Sequence, residues 1–180
     1  MSVSYLRLQE GESAVIRPVR RLFSFFRHYK PIQAIVSIDV VMKRLDPFVV
    51  KGDLAYRRHA IYILDRNDGD SLKIYEFGNT ILNELKKHMI CLNSNNPTGK
   101  NGANFRISRC GRYTSTCYEV TMEEKNSLSE KDIDHIKDNI VPFSDIYKYT
   151  ALSELQEMYD NIYEYDEMPV LSVDEFDKEL

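Results

Sequence analysis

Tryptophan is absent from this chain of 180 residues, glycine (seven) and proline (six) are scarce, and cysteine occurs three times. Each scarcity excludes something. Cys91, Cys110 and Cys117 are an odd number at spacings that match no zinc module, so reduced, metal-free thiols are expected and a disulfide framework is not. No run of about 18 apolar residues occurs, which leaves nothing to span a bilayer as a helix. The opening MSVSYLRLQEGES has neither the charge nor the apolar stretch of a secretion signal, and the expectation is an intracellular chain with no membrane partner. Gly-rich phosphate loops, HExxH and GxSxG are all missing. His59 and His88 lie far from any marked nucleophile, so a non-enzyme without cofactor is expected.

What is present is a composition that is 43% hydrophobic, enough for a proper core, with twelve tyrosines and eight phenylalanines. The net charge of -4 hides a division. Residues 153–180 hold ten acids against Lys178, a net of -9, which leaves 23 Lys and Arg against 18 Asp and Glu, a net of +5, on the rest. A basic body joined to an acidic end is a pattern of nucleic-acid binders, although acidic ends also serve solubility alone.

The clearest local order lies in 56–89. Residues 59–64 and 72–77 are rich in Ile, Tyr and Phe, and Asn67-Asp68-Gly69 between them has turn chemistry, which reads as a hairpin. After Gly78 the period changes to helical, with Ile81, Leu82, Leu85 and Met89 on one stripe. The alternation predicts a core face of His59, Ile61, Ile63, Leu72 and Ile74, and an opposite face carrying Tyr62 and Tyr75 beside Arg58 and Lys73. Tyrosines beside cations suit unpaired bases, because a ring stacks on any base and a cation neutralises the adjacent phosphate. An ordinary half-buried sheet with solvated charges explains the same residues.

Elsewhere, 5–8 and 14–17 read as a small hairpin stopped by Pro18. The basic and aromatic mixture of 17–30 fits either a ligand-facing surface or a short amphipathic helix burying Leu22, Phe25, Phe26 and Tyr29. The β-branched run 32–41 reads as a central strand, 48–50 as a short extended piece, and Lys51, Arg57 and Arg58 lead into the hairpin. Residues 92–102 form a polar loop. In 103–120 two strands flank a kink at Gly111, and Arg106, Arg109 and Arg112 beside Tyr113 and Tyr118 make a second candidate stacking and phosphate surface, or else a solvated edge. Ser129 with Asp132, and Ser153 with Gln156, mark two packing helices.

With these residues in view, four patches resemble, in order, the helix-destabilising single-stranded DNA-binding proteins of T-even-type bacteriophages. They are YLRLQEGESAVIRP from Tyr5; AIYIL followed by IYEFGNTI up to Met89; GANF at 102–105 with Tyr118 downstream; and ALSELQEMYDNI followed by the acidic end LSVDEFDKEL. The resemblance covers most of the chain, and GANF and Y-x-F-G are its more specific parts. It implies an OB-type barrel with a basic, tyrosine-lined cleft that holds single-stranded DNA without sequence preference, and it implies Tyr75 and Tyr118 as base-stacking residues. Arg66 falls where the family has a lysine. The family's zinc-binding insertion has no counterpart between Ile32 and Tyr56, and the basic amino-terminal arm used for cooperative self-association is missing. Only weak self-association on DNA is therefore expected.

The combined expectation is a mainly β, α+β chain with peripheral helices, an OB-fold-like core over 1–166 and an acidic tail over 167–180. DNA contacts are expected from Tyr75, Tyr118, Tyr62, Tyr113, Arg57, Arg58, Arg66, Lys73, Arg106, Arg109, Arg112 and Lys51. Asp174, Glu175, Phe176, Asp177 and Leu180 are expected to recruit replication and recombination proteins in the cytoplasm of an infected host cell. An RNA binder and a non-catalytic protein-interaction adaptor are the alternatives, since stacking and phosphate contact barely distinguish the two sugar backbones.

Overall fold

The computed structural model describes residues 4–20, 22–91, 102–125 and 127–163. In chain order they form strands β1 (Tyr5–Leu6), β2 (Ser13–Pro18), β3 (Phe23–His28) and β4 (Ala34–Val36), then helices α1 (Ile38–Met42) and α2 (Pro47–Lys51). Strands β5 (Tyr56–Asp65) and β6 (Ser71–Phe77), helix α3 (Asn79–Cys91), and strands β7 (Ala103–Cys110) and β8 (Cys117–Lys125) follow. Helices α4 (Glu130–Asn139), α5 (Phe143–Ile146) and α6 (Leu152–Tyr163) complete a mixed α+β fold. The chain divides into two compact units, 1–26 with 56–148 and 27–55 with 149–180.

In the first unit the sheet runs β1-β6-β5-β2-β7-β8, and among the described residues this path is open. β2 is its hub: Ile16 stands opposite Asp65 of β5 on one side and Phe105 of β7 on the other. Ile16, Ile61, Ile63, Phe77, Phe105 and Ile107 bury one face of the sheet together with Ile81 and Leu85 of α3. Such side chains stabilise by about 1.5 to 3 kcal/mol each. On the other face Leu64 packs with Leu128 and Ile136, the latter on α4, whose Ser129–Asp132 capping box forms as its spacing predicts. β5 is thus buried on both faces from His59 onward, which hides the alternation a half-buried strand would show.

The hairpin register corrects the expected faces. His59 pairs with Phe77, Ile61 with Tyr75, Ile63 with Lys73 and Asp65 with Ser71. Tyr75 therefore shares the core face with Ile61 and Phe77, while Tyr62, opposite Ile74, lies on the reverse face. The five-residue loop between the strands sets this parity, because one residue more or less would move a whole strand's side chains across the sheet. Asp65 shapes the loop: its carbonyl accepts from Asp68 N and Asp70 N at 3.1 and 3.0 Å, and its carboxylate accepts from Asn67 N at 3.1 Å.

Other expectations also shift. β1 does not form a hairpin with β2; it pairs in parallel with β6, Leu6 against Tyr75. Residues 23–28 are a strand rather than a helix, and Phe23 and Phe25 pack on Phe143 and Tyr147 at centroid distances of 4.7 to 5.6 Å, contacts that helical propensity cannot register. Cys110 and Cys117 are joined in a disulfide, against the expected free thiols. Their spacing fits no zinc module, but the antiparallel register places them directly opposite each other.

The second unit holds β4, α1, α2 and α6. The run 32–41 breaks into β4 and α1 because the Ser37 hydroxyl caps the helix, accepting from Val40 N at 3.3 Å. Residues 47–51 are helical rather than extended: the Asp46 carboxylate accepts from Phe48 N and Val49 N, Pro47 fits the first turn, and Gly52 (φ 113°) ends it. The other Asp46 oxygen meets His28 Nε2 at 2.8 Å with both side chains buried. Phe48 packs against Tyr159 and Tyr163 of α6.

His59 generates a testable dependence on pH. Its ring is buried, with Ser24 Oγ 2.8 Å from Nδ1 and Asn79 Oδ1 2.9 Å from Nε2. Burial lowers its pKa from 6.5, opposed by the Asn79 hydrogen bond and reinforced by Arg57, Lys86 and Arg58. The folded state then binds fewer protons than the unfolded one, so stability present above pH 6.5 is lost as pH falls through the depressed value. Urea midpoints measured between about pH 7.5 and about pH 5 should fall more for the wild type than for His59→Gln. Equal slopes would remove His59 from the account.

Candidate nucleic-acid interface

The first unit brings Tyr75 and Tyr118 to one place. Tyr75 lies between Ile61 on β5 and Leu6 on β1, and Tyr118 stands directly opposite Arg109 across β7 and β8. Both tyrosines line a cavity of about 370 Å³ with Arg7, Gln9, Arg58, Phe77 and Arg109. A second cavity of about 400 Å³ is lined by Gln9, Glu10, Arg109, Arg112 and Thr116, so Gln9 and Arg109 border both. Together they form a cleft with an aromatic floor and guanidinium groups along its edge.

The two rings differ in access. Tyr75 is 4% exposed and belongs to the core, whereas Tyr118 is half-buried and packs against that core from outside. Burial, then proximity to Tyr118, raises the Tyr75 pKa well above 10, which keeps its hydroxyl neutral and able to donate. Tyr118 is the more accessible of the two rings.

The cations are held in position. Arg58 Nε donates to Glu76 Oε1 at 3.3 Å and its guanidinium passes Gly78, where a Cβ would stand 3.5 Å from Arg58 Nη1. Arg109 ties the β1–β2 connection to the end of β7: its Nη1 donates to Leu8 O at 2.7 Å, its backbone N donates to Glu12 O, and its carbonyl accepts from Gly11 N. Arg112, exposed, pairs through Nε with Glu10 Oε2. It follows Gly111, whose φ of +70° and close approach to Ser115 O exclude a side chain there. Four arginines (Arg7, Arg58, Arg109, Arg112) against Glu10 and Glu76 leave the cleft positive.

Of the expected residues, Arg58, Tyr75, Tyr118, Arg109 and Arg112 come together here. Several others do not. Tyr62 is 2% exposed, stacks on Phe143 at 4.9 Å and donates its hydroxyl to Val141 O at 2.8 Å, so it is a packing residue. Lys73 sits between Asp65 (2.8 Å) and Asp68 (2.7 Å), and Arg66 pairs with Asp70 at 2.8 Å. Arg106, an odd number of residues from Arg109, points to the opposite face and pairs with Glu123. Arg57 is exposed at the start of β5, outside the cleft lining. Lys51 belongs to the second unit, its Nζ 3.4 Å from the Tyr163 ring centroid. Tyr113 opens a 3-10 turn, Tyr113–Ser115, and its side chain lies outside what is described, as do Asp174, Glu175, Phe176, Asp177 and Leu180.

Sequence reasoning missed Arg7, Gln9 and Glu10. Their signal was the short alternation in YLRLQE, which gains meaning only once β1 is known to pair with β6. Among the described residues no group of three or more His, Cys, Asp or Glu side chains is placed to hold a metal ion. No family model matches the chain, and no curated protein matches it significantly.

The split between packing and surface tyrosines is measurable by urea unfolding. Tyr62→Phe should cost about 1 kcal/mol, the net worth of its hydrogen bond to Val141 O, and Tyr75→Ala about 3 kcal/mol or more as a core truncation. An unchanged midpoint for Tyr75→Ala would contradict its place in the core.

Proposed function

We propose that the cleft binds single-stranded DNA without sequence preference and that the protein is a non-enzymatic, helix-destabilising coat protein of DNA replication, recombination and repair. The observation that carries this reading is the convergence of Tyr75, Tyr118 and four arginines from four strands and two connections on one cleft. A half-buried ring offers a stacking face to any base, and guanidinium groups along the edge neutralise phosphates irrespective of sequence. An open cleft lined in this way suits an unpaired strand, whose bases are free to turn inward.

Topology supports an OB-like core in this reading. Taken in chain order, β2, β5, β6, β7 and β8 lie side by side as third, second, first, fourth and fifth, with α3 between β6 and β7 in the chain. That is the arrangement of a partly open, five-stranded Greek-key sheet. The acidic segment 167–180, with Asp174, Glu175, Phe176, Asp177 and Leu180, serves in this proposal to recruit replication and recombination proteins in an infected host cell, and its support is charge and sequence alone.

Titration of labelled oligo-dT across a salt series tests the function. Four arginine contacts at about -0.7 each give a slope of log affinity against log salt of about -3. Tyr118→Ala should weaken binding by about 1 to 3 kcal/mol with the fold intact. Salt-independent binding, or duplex DNA bound as tightly as oligo-dT, would overturn the proposal; tighter binding of oligo-rU would move it to RNA.

A further inference from the structure

We infer that Cys110 and Cys117 form a reversible thiol–disulfide site, exchanging with small disulfides of the glutathione class, whose oxidation state sets the grip of the cleft's outer end. The inference rests on the functional reading of the cleft and adds its regulation.

Two placements carry it. Cys110 and Cys117 are direct cross-strand partners with Cα atoms 5.1 Å apart, inside the range a disulfide bridges without backbone movement, and both residues are exposed to an attacking thiolate. The next rung inward is Arg109 opposite Tyr118, and the loop that the bridge closes carries Arg112 and Thr116 of the second cavity. The remaining anchors described for Arg112 are local or solvent-exposed: its turn bonds with Ser115 and its ion pair with Glu10. Exposed pairs of this kind hold a loop weakly. The bridge therefore fixes the end of the ladder where stacking ring and phosphate-binding guanidinium groups meet.

The chemistry balances as exchange. One glutathione thiolate attacks a sulfur of the bridge, forming a mixed disulfide and releasing the other cysteine as a thiol. A second glutathione thiolate then resolves the mixed disulfide, so the protein gains two thiols and one glutathione disulfide leaves. Oxidation runs the same steps in reverse. The positive cleft edge attracts the net-negative tripeptide. Opening the bridge frees the loop, and ordering Arg112 and Tyr118 again on binding lowers affinity by about five-fold.

The test equilibrates full-length protein in glutathione buffers from reducing to oxidising, counts alkylated thiols by mass, and measures oligo-dT affinity on the same samples. Of the three cysteines, one should label in the oxidised form and all three in the reduced form. The oxidised form should bind about five-fold more tightly, and the Cys110→Ser, Cys117→Ser double variant should bind like the reduced form in every buffer. Three labels throughout, equal affinities for the two forms, or a redox response retained by the double variant would each overturn the inference. Failure of both forms to bind oligo-dT would instead overturn the functional reading, and the thiol count would still report whether the bridge exchanges.

Discussion

The arrangement depends on β2. A single six-residue strand pairs with β5 on one edge and β7 on the other, so two hairpins that are remote in sequence become neighbours through Ile16. Ile16 is fully buried, and one cavity brings the open end of the β5–β6 hairpin together with the turn end of the β7–β8 hairpin. Tyr75 comes from one and Tyr118 from the other. Arg109 reinforces the junction by bonding to the β1–β2 connection through side chain and backbone alike. A residue placed in this way serves the fold and the cleft with the same guanidinium group.

Charge in the cleft is poised rather than free. Arg58 is held by Glu76, Arg112 by Glu10, and both pairs lie at least partly in solvent, where such a pair contributes about 0 to 1 kcal/mol. In the proposed function a phosphate would displace either carboxylate at small cost, and the ion pairs orient the two guanidinium groups beforehand. Lys73 differs. Two aspartates within 2.8 Å, Asp65 at the end of β5 and Asp68 in the loop, tie it to the hairpin's turn.

How far the sequence could be read follows from where its signals are local. The β5–β6 hairpin, α3 and α4 announce themselves through turn residues, helical period and a capping box, and all three are present. Tyr75 and Tyr118, which the resemblance implies as base-stacking residues, line one cavity. What failed was parity and partnership: Tyr62 and Tyr75 appear alike on a strand until the five-residue loop puts them on opposite faces. Arg106 and Arg109 likewise separate only by the alternation of β7. Helix α2 was missed because its start depends on the buried Asp46 cap, and the Cys110–Cys117 bridge because cross-strand register is invisible in spacing.

The most direct measurement is where an unpaired strand touches the protein. An oligonucleotide of thymidine carrying one 5-iodouracil, photo-crosslinked to the full-length chain and mapped by peptide mass, reports contact residues without assuming them. The account predicts crosslinks on the peptide that carries Tyr118 of β8, diminished by excess unlabelled oligo-dT and by high salt. Crosslinks confined to 27–55, or to the face of β7 that bears Arg106, would contradict it.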